Sequence, residues 1–329
     1  MPAFRIFPNM LEAVLKKSVS LVISAFLLYV PKEKVLQEMD ALPTMEQRVV
    51  DMDLNGWTFE RAPSERTGIT HYYYHLASGA VNPVPLVLLH GFNTDGRVFL
   101  NVSELADSFE LIAYNLPEES PYYAGHLSDF SVILDDFFET IFLDTVIIAG
   151  NSVGGGIALH YCASDPGIHV KKLILLSTTV FGSTQEDRRR FRGMADKLLP
   201  YPDYKLFYLL QKGQSMLTRF ERLTIGSDES PSALVVTKRI AWYRQVLESL
   251  YTYDGRADAR RIACPVLAMH GTADRVISAD AAAAIPEHIT HARLVQVEGA
   301  GHSLVHSHAA AVSAEILDFK HMRMAQKQP

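Results

Sequence analysis

The stretch "DTVIIAGNSVGGGIALHY", residues 144 to 161, decides how this chain is read. It opens as a continuous apolar, β-branched run from Asp144 to Ala149, the pattern of a strand buried on both faces of a parallel sheet. It then meets Ser152 and continues as an apolar helical stretch from Ile157 to Ala163, with Pro166 beyond it as a stop. A strand that turns into a helix with no intervening loop must compress its backbone, so the positions two before and two after the turning residue must lack bulk. Gly150 and Gly154 meet that requirement. "GNSVG" therefore fits G-x-S-x-G, in which a strained turn lifts the Ser152 hydroxyl above the sheet. The helix that begins there sets the positive end of its dipole beneath the hydroxyl. A serine among glycines is also what an ordinary turn looks like, so the pentapeptide needs partners elsewhere in the chain.

Size and charge narrow the options. At 329 residues, 48% hydrophobic and 21% charged, the chain suffices for one large domain with an insertion or for two modest ones. A net charge of −6 and the lack of a sustained basic stretch speak against nucleic acid as a partner. The densest basic run, "DRRRFR" at 187 to 192, reads as a solvated helix face. The two cysteines, Cys162 and Cys264, both sit in apolar settings and read as core thiols. With no zinc spacing and no disulfide framework, they suit a reducing, cytoplasmic location.

The first 45 residues stand apart. "SVSLVISAFLLYV" at 18 to 30 is thirteen residues without a charge, preceded by Lys16 and Lys17 and closed by Pro31. It is shorter than the roughly 20 residues a membrane-spanning helix needs. Three readings stay open: a helix lying on a membrane surface or at a substrate entrance, a helix packed on the protein's own core, and a signal or anchor. Peripheral membrane contact or self-association would run through residues 10 to 30.

From residue 46 the organisation becomes regular. "RVVDMDL" (48 to 54) and "WTFERA" (57 to 62), separated by Asn55-Gly56, read as a hairpin. "THYYYHL" (70 to 76) and "PLVLLHG" (85 to 91) read as further strands. Strands and helices then alternate through "FELIAYN", "DFSVILDDFFETIF", the strand and helix around Ser152, and "VKKLILLST" (170 to 178). That rhythm predicts a parallel sheet covered by helices on both faces. It breaks at Phe181. Residues 181 to 260 carry charged and aromatic helical patterns, and "CPVLAMHG" (264 to 271) and "ARLVQVEG" (292 to 299) then resume the strands. The economical reading is a core of 46–180 and 261–329 with a helical lid of 181–260 inserted over the active face.

Such a sheet binds ligands at the carboxyl ends of its strands. Ser152 stands at one such end, Asp274 in "MHGTADRVIS" just past the next strand after the insertion, and His302 in "VEGAGHSLVH" just past the last. A serine needs a base within hydrogen-bond reach, and the imidazole needs a carboxylate to set its tautomer and stabilise its cation. Asp274 has a rival role as cap of a helix starting near Ala279, but it lies five residues too early. His302, His306 and His308 hint at a metal, yet His306 and His308 fall on different faces of the terminal helix, so no metal site is expected. His90 reads as a structural residue whose ring ties its loop down through the backbone.

Taken together, "HGF" (90 to 92), "GNSVGG" (150 to 155), "HGTAD" (270 to 274) and "GAGH" (299 to 302) resemble the α/β-hydrolase superfamily over about residues 46 to 320. The resemblance implies an α/β-hydrolase fold, a mostly parallel central sheet flanked by helices with a helical lid. It implies Ser152, Asp274 and His302 as catalytic residues and the backbone amides of Phe92 and Val153 as the oxyanion hole, with Gly91, Gly150 and Gly154 shaping the loop and the turn. Removing one oxyanion donor typically costs about 3–4 kcal/mol. No cofactor is implied. Superfamily members that dehalogenate or open epoxides use Asp as nucleophile, and Ser152 argues against both. Within the serine branch, Gly-Asn-Ser resembles both esterases and hydrolases that cleave carbon–carbon bonds in ring-fission products. Phe207, Tyr208, Trp242 and Tyr243 make the insertion aromatic, and it lacks an obvious cation cluster for a dicarboxylate, Arg188 to Arg192 aside. The expectation is a carboxylesterase acting on short to medium acyl chains of a small-molecule ester. Carbon–carbon hydrolysis is the alternative, and a non-catalytic binding protein, which should have lost a triad member, is the third.

Overall fold

The computed structural model describes residues 30–42, 44, 46–49, 53–92, 94–117, 126–208 and 240–322. The apolar stretch at 18 to 29, the proposed contact through residues 10 to 29 and the middle of the insertion, 209–239, lie outside them. After helix α1 (Lys32–Asp40) come strands β1 (Thr58–Pro63), β2 (Thr70–Leu76) and β3 (Val84–Leu89). A 3-10 run (Gly96–Asp107), β4 (Phe109–Asn115), α2 (Asp129–Thr140), β5 (Thr145–Asn151), α3 (Val153–Ala163) and β6 (His169–Leu176) follow. Helices α4 (Gln185–Leu198), α5 (Ile240–Thr252) and α6 (Arg256–Ala259) precede β7 (Val266–Gly271). The chain ends on α7 (Ala279–Ala283), α8 (Ile285–His288), β8 (Ala292–Val297), α9 (Leu304–Ser307) and α10 (Ala309–Phe319).

The strands form one sheet in the order β1-β2-β4-β3-β5-β6-β7-β8. β2 pairs antiparallel with β1 and β4, and every other pairing is parallel. This is the α/β-hydrolase fold. Alternation along each strand sorts the aliphatic residues between the faces. Val87, Leu89, Ile112 and Ile148 pack with Phe130, Phe137 and Ile157 of α2 and α3. Leu86, Leu88, Leu111 and Ile147 pack with Phe99 and Leu105 of the 3-10 run and Val312 and Ile316 of α10. The chain steps from β3 outward to β4 and returns to the other side of β3 with β5. The sheet therefore opens between the ends of β3 and β5, where Gly91 and Ser152 stand.

The hairpin expected around Asn55-Gly56 is seen in part. The Asn55-Gly56 turn forms, with φ of 50° and 85° and Trp57 N–H donating to the Leu54 carbonyl at 2.9 Å. Of the arm expected upstream, Glu46–Arg48 is a 3-10 turn and 50–52 lie outside the described residues, while β1 pairs with β2. Cys162 and Cys264 are half-buried against the core.

A buried polar knot ties the β1–β2 connection to α2. The Asp136 carboxylate accepts from Ser64 Oγ at 2.7 Å, Arg66 Nε at 3.1 Å, His71 Nε2 at 2.9 Å and Thr67 Oγ1. Tyr114 donates its hydroxyl to His71 Nδ1 at 2.8 Å. Burial pushes the His71 imidazole below its usual range. For Asp136 burial acts upward and is outweighed by the bonds from Thr67, Ser64 and His71, so its carboxyl stays below the ordinary value.

The two ends of the insertion are clasped together: Gly255 N–H donates to the Phe181 carbonyl at 2.8 Å. Gly182 adopts φ +73°, and a Cβ there would stand 2.4 Å from the Tyr253 carbonyl oxygen. Arg188 bonds the Gly182 carbonyl, while Arg189 and Arg192 face solvent. Among the described residues no helix is long and apolar enough to cross a membrane.

Candidate active site

The turn after β5 takes its shape from close approach. A Cβ on Gly150 would fall 2.2 Å from the Gly154 carbonyl oxygen, and one on Gly154 would fall 2.3 Å from that of Leu89. These contacts press α3 against β5 and β3, and Ser152 between them adopts φ 54°, ψ −116°. A non-glycine residue pays for that conformation, so its occurrence here marks stored strain. Ser152 N–H donates to the Leu176 carbonyl at 2.8 Å.

The structure brings Ser152, Asp274 and His302 together across 150 positions of sequence. His302 Nε2 lies 3.1 Å from Ser152 Oγ, and His302 Nδ1 lies 2.8 Å from Asp274 Oδ2. The other carboxylate oxygen of Asp274 accepts the N–H groups of Val276 and Ile277 at 2.8 and 3.0 Å. The Asp274 side chain has no exposure, whereas that of His302 is 25% exposed. Burial acts to raise the Asp274 carboxyl, and the bond and charge of His302 with the two backbone N–H groups more than offset it, leaving the group below its usual value. The rival capping role falls to Ser278, whose side chain accepts from Ala281 N–H at the start of α7. His306 and His308 turn to different neighbours, Asn101 and Ser307.

Two peptides flank the serine hydroxyl, and both have their carbonyls tied back. The Gly91 carbonyl accepts from His90 Nδ1 at 2.9 Å and from Thr94 Oγ1 at 3.0 Å. Leu116 N–H donates to His90 Nε2 at 3.0 Å, so the His90 hydrogen sits on Nδ1. The Ser152 carbonyl accepts from Thr178 Oγ1 at 2.7 Å and Gly155 N–H at 2.9 Å. In a trans peptide the N–H points opposite to the C=O, so these bonds also set the directions of Phe92 N–H and Val153 N–H. Gly91 belongs to this arrangement: a Cβ there would stand 3.2 Å from Ser152 Cβ. Thr94 and Thr178 carry no sequence pattern that would single them out. The only pointers are three-residue spacing from Gly91 for the one and position just past β6 for the other.

A serine, imidazole and carboxylate in relay at the carboxyl edge of a parallel sheet have the chemistry of nucleophile, base and orienting acid. The chain belongs to the alpha/beta hydrolase family, whose model matches residues 86–315. Over 260 residues it is 26% identical to the AB hydrolase superfamily protein YisY of Bacillus subtilis, covering 71% of this chain and 91% of that protein. It is 28% identical over 246 residues to the pimeloyl-(acyl-carrier protein) methyl ester esterase of Nitrosomonas europaea, covering 68% of this chain and 90% of the esterase. Among solved structures, the esterase EaEST from Exiguobacterium antarcticum superposes with a TM-score of 0.63 at 19% identity, over 80% of this chain and 99% of that one.

Proposed function

We propose that this protein is a serine hydrolase of carboxylic esters with short to medium acyl chains, working through an acyl-enzyme. The observation that carries the reading is the unbroken relay from Ser152 Oγ through His302 to Asp274, at 3.1 and 2.8 Å. Ser152 Oγ attacks the ester carbonyl as His302 Nε2 takes its proton, and Asp274 stabilises the imidazolium. Phe92 N–H and Val153 N–H receive the oxyanion. Protonated His302 then gives its proton to the departing alcohol, leaving the acyl group on Ser152, and water repeats the sequence to release the acid. The esterase activity named for the Nitrosomonas relative supports an ester as substrate. Residues 181–260 act as a lid in this reading, their two ends clasped at Phe181 and Gly255.

The test is a p-nitrophenyl ester chain-length series run beside a ring-fission diketone. Ser152→Ala and His302→Ala should each lower kcat by at least about 10³-fold, and the double variant should be hardly worse, because the residues act as a unit. A fluorophosphonate should label Ser152. Ester turnover in Ser152→Ala within tenfold of the unaltered protein, or diketone turnover exceeding that of every ester, would refute the proposal.

A further inference from the structure

A second imidazole faces the carboxylate of the relay. His270 lies at the end of β7, 1% exposed. Its Nε2 stands 3.5 Å from Asp274 Oδ2 and 3.1 Å from the Ile277 carbonyl oxygen. Both neighbours are acceptors, so Nε2 carries the hydrogen. Nδ1 is buried with no hydrogen-bond partner. A proton added there would create a buried N–H without an acceptor as well as a buried charge, and both are costly. His270 is therefore held neutral, its N–H donated to the Ile277 carbonyl with Asp274 Oδ2, the oxygen that also receives His302 Nδ1–H, 3.5 Å from the same nitrogen.

We propose that His270 is a positioning residue of the relay: its neutral Nε2–H, donated to the Ile277 carbonyl and 3.5 Å from Asp274 Oδ2, holds the turn that carries the carboxylate and leaves His302 as the one imidazole that takes the serine proton. This inference rests on the serine-relay reading above. Two imidazoles sharing one carboxylate cannot both be cations without repelling each other, and their different surroundings decide between them. His302 is partly open to solvent, whereas His270 is sealed. The charges that act on His270 are those of Asp274 and His302, and burial, the largest influence, pushes its imidazole below the usual range. The Ile277 carbonyl matters as well. It anchors the ring from the same turn whose N–H groups hold Asp274 Oδ1, so ring and carboxylate move together.

The direction of the effect follows from electrostatics. The positive end of the His270 N–H dipole draws on the charge that Asp274 presents to the His302 cation. Without it, Asp274 holds that cation more tightly, and the acid limb of the pH–rate profile moves to higher pH. The freed carboxylate also loses one of its orienting contacts, which slows turnover without altering substrate contacts.

The experiment compares the full chain with His270→Leu, His270→Asn and His270→Gln. It measures kcat and KM on a short p-nitrophenyl ester from pH 5 to 9, the rate of Ser152 labelling by a fluorophosphonate over the same range, and the melting temperature. Gln carries an N–H near the position of Nε2, while the shorter Asn does not reach the Ile277 carbonyl. His270→Leu and His270→Asn should lower kcat by about tenfold with KM within about twofold, and move the acid limb upward by about half a pH unit. His270→Gln should restore most of both. If His270→Leu does not fold, the contrast between Asn and Gln still decides. An acid limb unchanged in Asn, or equal losses in Asn and Gln that track the melting temperature, would overturn the positioning role. Labelling depends on the same base, so its profile tests His270 whatever substrate the protein takes. No labelling of the unaltered protein would overturn the relay reading and this inference with it, whereas normal labelling with a profile insensitive to His270 would overturn this inference alone.

Discussion

Gly154→Ala is the smallest change that should separate the proposed nucleophile, Ser152, from its proposed oxyanion donors. The added methyl would lie 2.3 Å from the Leu89 carbonyl oxygen and 2.5 Å from that of His90, where ordinary contact begins at 3.4 Å. The obstacles are backbone atoms, so no side chain can rotate away. Relief requires α3 and the end of β3 to part by about 1 Å, the difference between 3.4 and 2.3 Å. α3 begins beside Ser152 and Val153, and β3 leads into Gly91 and Phe92, so the displacement falls on the geometry the proposed reaction needs. A misplacement of about 1 Å costs on the order of 10²-fold in rate. Overpacking of this kind costs about 1–3 kcal/mol of stability, a fall of a few degrees in melting temperature. The assay is kcat on a short ester, with the fluorophosphonate labelling rate and a melting curve beside it. Gly167→Ala serves as control, since nothing lies within 4 Å of a Cβ there. A Gly154→Ala protein that keeps kcat within twofold would refute the close-packing account of the turn.

Asp136→Ala should destabilise the protein by roughly 3 kcal/mol in denaturant titrations, because it leaves His71 Nε2–H and the hydroxyls of Ser64 and Thr67 buried without their acceptor. Asp136→Asn, which keeps an acceptor oxygen, should cost less, and a loss of under about 0.5 kcal/mol in Asp136→Ala would contradict the role assigned to the knot. Stability should also fall with acid. His71 and His270 both titrate below the usual 6.5 in the native protein, chiefly through burial. The unfolded chain takes up their protons first, so their contribution is present above 6.5 and is lost as pH falls below it. Melting temperature should decline from pH 7 to 5, and His71→Gln should make the decline shallower. A flat profile in the unaltered protein would count against both buried histidines being neutral.

Much of the molecule was legible in the order of residues because the relevant forces are local. The strand-to-helix turn at Ser152 is written in Gly150 and Gly154, whose missing side chains are a steric condition between near neighbours. The unbroken apolar run of β5 announces burial on both faces, as does the run in β7. The placement of Asp274 and His302 just past strand ends followed from the same periodicity. Upstream of Asn55 periodicity alone does not fix the pairing: the turn is a local property and forms, whereas the pairing of β1 is not local. That strand's partner was chosen by the edge β2 offered and by the packing beneath it. The 3-10 run at Gly96–Asp107, in which Val98, Phe99, Val102 and Leu105 are buried, is an element that the strand-and-helix rhythm of the sequence does not predict.

What only the tertiary structure decided is which polar groups meet. Asp136 finds donors some seventy residues upstream, Thr94 and Thr178 tie back the carbonyls of Gly91 and Ser152, and His270 gives its one hydrogen to the Ile277 carbonyl beside Asp274. Hydrophobic burial is non-directional and can be read from a pattern of residue types. A hydrogen bond instead requires two particular atoms at a set distance and angle, and that condition exists only once the sheet has brought distant strand ends side by side.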